Sequence, residues 1–294
     1  MLLIYVLAGT IAQLIDGSIG MGFGLTSASL LTIAGATPAA ASAAIHTAKI
    51  GTGLASGAAH WKLGNVDLRL TLRIGIPGAI GAGVGALFLS EVALASAKPL
   101  TSAVLLVLGA HILARTRMPR STSSGRGGST RWFHPLLGMI AGVVDATGGG
   151  GWGPVTIPAL LLGGESPRKV VGSVSASEIL VALSATAGFI VGIGEIDWRT
   201  AGALMLGGVL IAPFAAKLSA RIEPGKFTQV IGIGVIAINV VNLLKAGVPP
   251  ILLTGALTVL GVIGFALTSA QQRTAETVEP ATSNETVSEV CQPH

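Results

Sequence analysis

The stretches 11-IAQLIDGSIGMGFG-24 and 140-IAGVVDATGGGGWG-153 are two copies of one pattern: an apolar run, an aspartate and a cluster of glycines. They align at an offset of about 129 residues, the signature of an internal repeat. The same offset carries Asp16 onto Asp145, Gly20 onto Gly149, Gly22 onto Gly151, Gly24 onto Gly153, Pro38 onto Pro167 and Lys49 onto Glu178. One residue of slip later, 64-GNVDLR-69 falls on 194-GEIDWR-199. The chain is a duplicated unit whose halves carry opposite charge at their centres.

The composition decides the solvent. Of the 294 residues 51% are hydrophobic and only 11% charged, with a mean hydropathy of +0.76. A water-facing surface normally needs about a quarter of the chain charged, so this is an integral membrane protein in contact with the lipid bilayer. The apolar runs are continuous and rich in Ala, Leu and Gly, unlike the alternating strands of a membrane barrel, so helices are the spanning element. Much of the abundant glycine, 42 residues, serves close helix approach. The single Cys291 offers neither a disulfide nor a thiolate metal site, and no metal or cofactor is expected. The opening MLLIYVLAGT has no basic leader, and Asp16 interrupts the run, so it reads as a retained helix. The net charge of +5 lies in segments flanking the membrane, which is topogenic charge and not a nucleic-acid surface.

The layout expected is a first membrane repeat over 1–115, a basic cytoplasmic linker over 116–134, a second repeat over 135–248, an extra transmembrane helix over 249–270 and a disordered tail over 271–294. The linker is Gly/Ser-rich and basic, and the tail is Thr/Glu-rich with few large apolar side chains. Residues 1–36 are too long for one crossing, about 54 Å as helix, yet the pieces on either side of the glycine break are too short to cross comfortably. A re-entrant hairpin fits both 1–36 and 135–163. Each repeat is then one glycine-broken hairpin plus three transmembrane helices, and the odd number of crossings inverts the second repeat. This arrangement puts fourteen basic residues on one face and Lys98, Arg199 and Lys245 on the other, with Lys49 inside the bilayer, which accounts for all 18. The bias places the linker and tail in the cytoplasm. Trp61, Trp132 and Trp198 fall at segment ends, as interfacial anchors do.

Broken helices at membrane depth expose backbone amides that are tolerated where they face a bound ion. Gly20, Gly22 and Gly24, with Gly149, Gly150, Gly151 and Trp152, mark two such helix starts, whose partial positive charge suits an oxyanion. The competing reading is that these glycines serve tight turns and packing alone. Asp16 and Asp145 precede the clusters and are read either as caps on the following half-helices or as carriers of a coupling ion. Lys49 lies one turn after His46. A bare ammonium at the bilayer centre needs a partner, and Glu178, its repeat mate, is the expected one. Such an ion pair opens when an anion binds Lys49 or when Glu178 takes a proton; the alternative is a permanent structural bridge. Ser175 stands where His46 does in the other half, and is taken as a substrate contact, while His46 is taken as a proton sensor. Asn239 and Asn242 are read as helix-to-helix hydrogen-bonding groups.

The chain resembles the sulfite exporter TauE/SafE family of bacterial permeases. The residues that carry the resemblance are 16-DGSIGMGFG-24 and 145-DATGGGGWGP-154, within a duplicated layout spanning about residues 5–268. The first motif is the looser copy. The resemblance implies a secondary transporter of small anions such as sulfite, sulfoacetate or other organosulfonates, coupled to an ion or proton gradient. It leaves homo-oligomerisation open. No phosphate-binding loop with Lys-Ser/Thr is present, and no paired-Asp, His-rich or Ser-His constellation stands at catalytic spacing, so neither an ATPase nor an enzyme is expected. The rival reading is a proton-coupled cation or metal-ion carrier using the intramembrane carboxylates.

Overall fold

The computed structural model describes residues 2–19, 22–92, 94–115, 132–162, 165–218, 224–255 and 258–259. Helices follow in the order α1 (Leu2–Ile19), α2 (Phe23–Ile33), α3 (Pro38–Lys62), α4 (Leu68–Glu91), α5 (Leu94–Arg115), α6 (Phe133–Gly148), α7 (Trp152–Leu162), α8 (Pro167–Ile193), α9 (Trp198–Leu218) and α10 (Pro224–Lys245). No strand occurs among the described residues. Gly20, residues 116–131 of the linker, most of 249–270 and the whole tail 271–294 lie outside them.

Local chemistry sets the helix starts. Thr37 caps α3 by accepting from the Ala40 amide at 3.2 Å, with Pro38 at the first helical position; at α8, Ser166-Pro167 repeats the extended residue and the proline without the side-chain bond. Asp67 opens α4 by accepting from the Leu70 amide at 3.1 Å, and Asp197 opens α9 by accepting from the Arg199 and Thr200 amides, each at 3.1 Å. The stretches Leu68–Glu91, Arg168–Ile193 and Trp198–Ala215 are long and apolar enough to cross a membrane. On α4, Leu72, Ile76, Ile80, Val84 and Leu87 form an exposed stripe, while Ile74, Gly78, Gly81, Ala82 and Gly85 are buried. That is the pattern of a helix with lipid on one side and protein on the other. Trp61, Trp132 and Trp198 are exposed at helix ends.

Every helix but the short α2 and α7, which lean on their own chain neighbours, finds its main partner in the other half of the chain. Helix α4 packs on α6 and α8, α9 packs on α1 and α3, α3 crosses α8, and α5 pairs with α10. Equivalent residues make equivalent contacts: a side chain at Gly9 would strike the Leu204 carbonyl of α9, and one at Gly138 would strike the Ile74 carbonyl of α4. Such backbone-on-backbone crossings are how helices gain van der Waals contact where lipid supplies no hydrophobic drive.

The broken helices meet at the centre. Helix α6 ends at Gly149, whose φ of 73° is the left-handed conformation that glycine adopts without strain. At 11 residues each, α2 and α7 are about 16 Å long, half of what a crossing needs. The two breaks touch through their backbones: a Cβ on Gly24 would occupy the place of the Gly149 carbonyl and Gly150 Cα, and one on Gly150 would collide with Gly24 and Leu25. Only glycine permits that approach.

Candidate functional site

A buried cluster of charged side chains lies beside this crossing. Ser42, His46 and Lys49 share one face of α3, being four and three residues apart. Lys49 Nζ reaches Asp145 of α6 at 3.0 Å to Oδ1 and 3.3 Å to Oδ2, and Glu178 Oε1 of α8 at 2.9 Å. His46 Nε2 lies 3.0 Å from Asp145 Oδ2. The Trp152 amide, first in α7, donates to Asp145 Oδ1 at 3.0 Å. Asp145 is therefore at once the cap of α7, the partner of Lys49 and the partner of His46. It is 0% exposed, whereas the Glu178 side chain is 12% exposed and, among the described residues, pairs with Lys49 alone.

Around this core the second break is fastened on several sides. Ser42 Oγ donates to the Ala146 carbonyl at 2.6 Å, and Thr101 Oγ1 of α5 to the Thr147 carbonyl at 3.1 Å. The Trp152 indole, buried, donates to the Val174 carbonyl of α8 at 3.1 Å. The ring of Phe189 lies 6.0 Å from that of His46 and is fully buried, which closes the cluster to water on that side.

Among the described residues the first break has fewer ties. Asp16 accepts from the Phe23 amide at 3.3 Å, the counterpart of Asp145 with Trp152, and is partly exposed. By the repeat offset, the α8 equivalents of His46 and Lys49 are Ser175 and Glu178, a hydroxyl and a carboxylate in place of an imidazole and an ammonium. Asp16 lies within electrostatic reach of Lys49, Asp145 and Glu178. Asn239 Nδ2 of α10 donates to Ser29 Oγ of α2 at 3.2 Å.

The sequence-derived candidates divide accordingly. Lys49 pairs with Glu178 as expected, and its second partner, Asp145, was not foreseen. Both aspartates cap the half-helices that follow. Gly22, Gly24, Gly149, Gly150 and Gly151 are buried, and the close-packing role proposed for them is visible at Gly24 and Gly150. Trp152 is enclosed, its ring against Gly78 of α4, and Ser175 is buried with no side-chain hydrogen bond among the described residues. Gly20 lies outside the described residues. Ser42 and Phe189 escaped the sequence reading, although the four-residue step from Ser42 to His46 was a usable signal.

A bundle of duplicated halves, lipid-facing outside and charged where its broken helices cross, is a polytopic membrane protein built around an intramembrane polar centre. The chain belongs to the sulfite exporter TauE/SafE family, whose model matches residues 5–242, and so to a family of membrane transporters. It is 45% identical over 249 residues, 83% of each chain, to the probable membrane transporter protein YtnM of Bacillus subtilis (strain 168). No solved structure matches it significantly.

Proposed function

We propose that this protein is a secondary transporter that moves a small anion, such as sulfite, sulfoacetate or another organosulfonate, across the cell membrane by alternating access. The two halves act as inverted repeats, each with a re-entrant hairpin (α1–α2 and α6–α7), and one rocks against the other around the crossing of the breaks. The linker and tail are cytoplasmic in this arrangement. A cysteine at position 36 then labels from outside the cell, and one at position 166 from the cytoplasm; labelling of both from one side would sink the inverted hairpins.

The observation that carries the reading is Lys49, a buried ammonium held between Asp145 and Glu178 beside the starts of two half-helices. An ion pair this deep is costly to break by removing one member, and cheap to open only if something replaces that member. An anion replaces Glu178 on Lys49, and a proton on Glu178 neutralises the carboxylate that has let go. Transport and proton movement are thereby linked. In proteoliposomes, labelled sulfite or sulfoacetate flux is expected to be saturable and responsive to a pH gradient, and to be lost in Lys49→Gln.

A second reading has its own support. The cluster holds Asp16, Asp145 and Glu178 against Lys49 and His46, and Asp16 has no cation of its own among the described residues. A surplus of carboxylate suits a proton-coupled cation or metal-ion carrier. Flux of an inorganic cation that sulfonates do not affect would favour it over the anion reading.

A further inference from the structure

The hydrogen bonds of His46 count its protons. Nδ1 lies 2.8 Å from the Ser42 carbonyl oxygen, which can only accept, so Nδ1 carries a hydrogen. The Ser42 hydroxyl, 3.2 Å away, has its own hydrogen directed to the Ala146 carbonyl, so it too can only accept from the ring. Nε2 faces Asp145 Oδ2, and that carboxylate already receives Lys49 and the Trp152 amide, as an ionised group does. Both ring nitrogens thus face acceptors. This assignment follows from the partners, and no neutral tautomer satisfies both contacts.

We infer that His46 is held as an imidazolium whose charge cancels that of Asp145, and that this cancellation is what leaves Lys49 free to take an anion. The inference rests on the transport reading above and names the residue that sets its selectivity. The charged groups facing the centre are Lys49 and His46 from α3, Asp145 from α6, Glu178 from α8 and Asp16 from α1. With His46 charged, two positive groups stand against three negative ones. One proton on Glu178 brings the sum to zero, and the half-helix starts at α2 and α7 each add about half a positive charge. The site then favours one anion. With His46 neutral the same sum is one charge lower, the positive surplus that favours an anion is gone, and Asp145 claims Lys49 for itself. His46 touches no substrate in this scheme; it is a positioning residue that acts through Asp145.

Two measurements test this. In the native protein in nanodiscs, under the conditions of the flux assay, nitrogen-15 spectra should show His46 with two ring N–H protons and both nitrogens of the protonated type. A neutral tautomer there overturns the inference. For sulfite uptake, His46→Gln keeps a donor to Asp145 but removes the charge, and should raise the half-saturation concentration about tenfold or more. The double variant His46→Gln/Asp145→Asn removes the opposed charges together and should bring it back toward the native value. A merely structural role predicts the reverse, a double variant worse than the single one, and that result also overturns the inference. If the native protein moves no anion at all, the transport reading falls and this role falls with it. A neutral His46 in a protein that does move sulfite sinks this inference alone.

Discussion

The two glycine breaks have related sequences and unlike surroundings. At the second, Asp145 ties α6 to α7, α3 and, through Lys49, to α8, while Ser42, Thr101 and the Trp152 indole hold the neighbouring backbone. At the first, Asp16 accepts from the amide of Phe23 at a longer 3.3 Å and, among the described residues, forms no ion pair with a cation. A duplicated unit has kept its backbone plan and exchanged the charges around it. Among the described residues one copy is the more heavily fastened and the other stands beside a partly exposed carboxylate, an asymmetry that the alternating-access mechanism proposed above would use.

The largest test of this difference is to remove each aspartate in turn. Asp145→Ala strands the Lys49 and His46 charges in the interior and should cost about 3–5 kcal/mol, the usual loss when one partner of a buried pair is deleted. Asp16→Ala loses one cap and should cost about 1 kcal/mol. Thermal unfolding of the solubilised protein measures both, and equal losses would erase the distinction between the breaks. Next in size are substitutions where the breaks touch. Gly24→Ala and Gly150→Ala each force a methyl into the opposing backbone and should cost about 1–3 kcal/mol. The double variant should cost less than the sum, because the first substitution already parts the two segments; strict additivity would mean that the breaks are not in contact.

The smallest effect concerns the helix starts that the repeats share. The Thr200 hydroxyl, at 2.6 Å, and the Thr200 and Arg199 amides hold the Asp197 carboxyl below its usual range. A depressed folded value means that this contribution is present above the ordinary aspartate value of about 3.9 and fades as the pH falls through the lower, folded one. Asp197→Ala should therefore lower stability by about 1 kcal/mol at neutral pH and by progressively less under acid. A loss that does not change with pH would remove the ionised cap from the account.

The amino-acid sequence by itself determined the membrane environment, the helical class, the duplication and the position of each break, because these follow from local composition and spacing. It also placed Lys49 opposite Glu178, since residues related by a repeat meet where the two copies face each other. Glycine clusters were ambiguous in the sequence: the same absence of a side chain permits an exposed amide or a tight crossing. Only the packing of α2 against the α6–α7 turn shows that Gly24 and Gly150 press backbone to backbone. Which carboxylate Lys49 shares with His46 was beyond the sequence as well, for Asp145 lies 96 residues from Lys49 along the chain. Such a contact is set by how helices from two halves cross, and a buried charge takes whichever partner the fold carries within 3 Å.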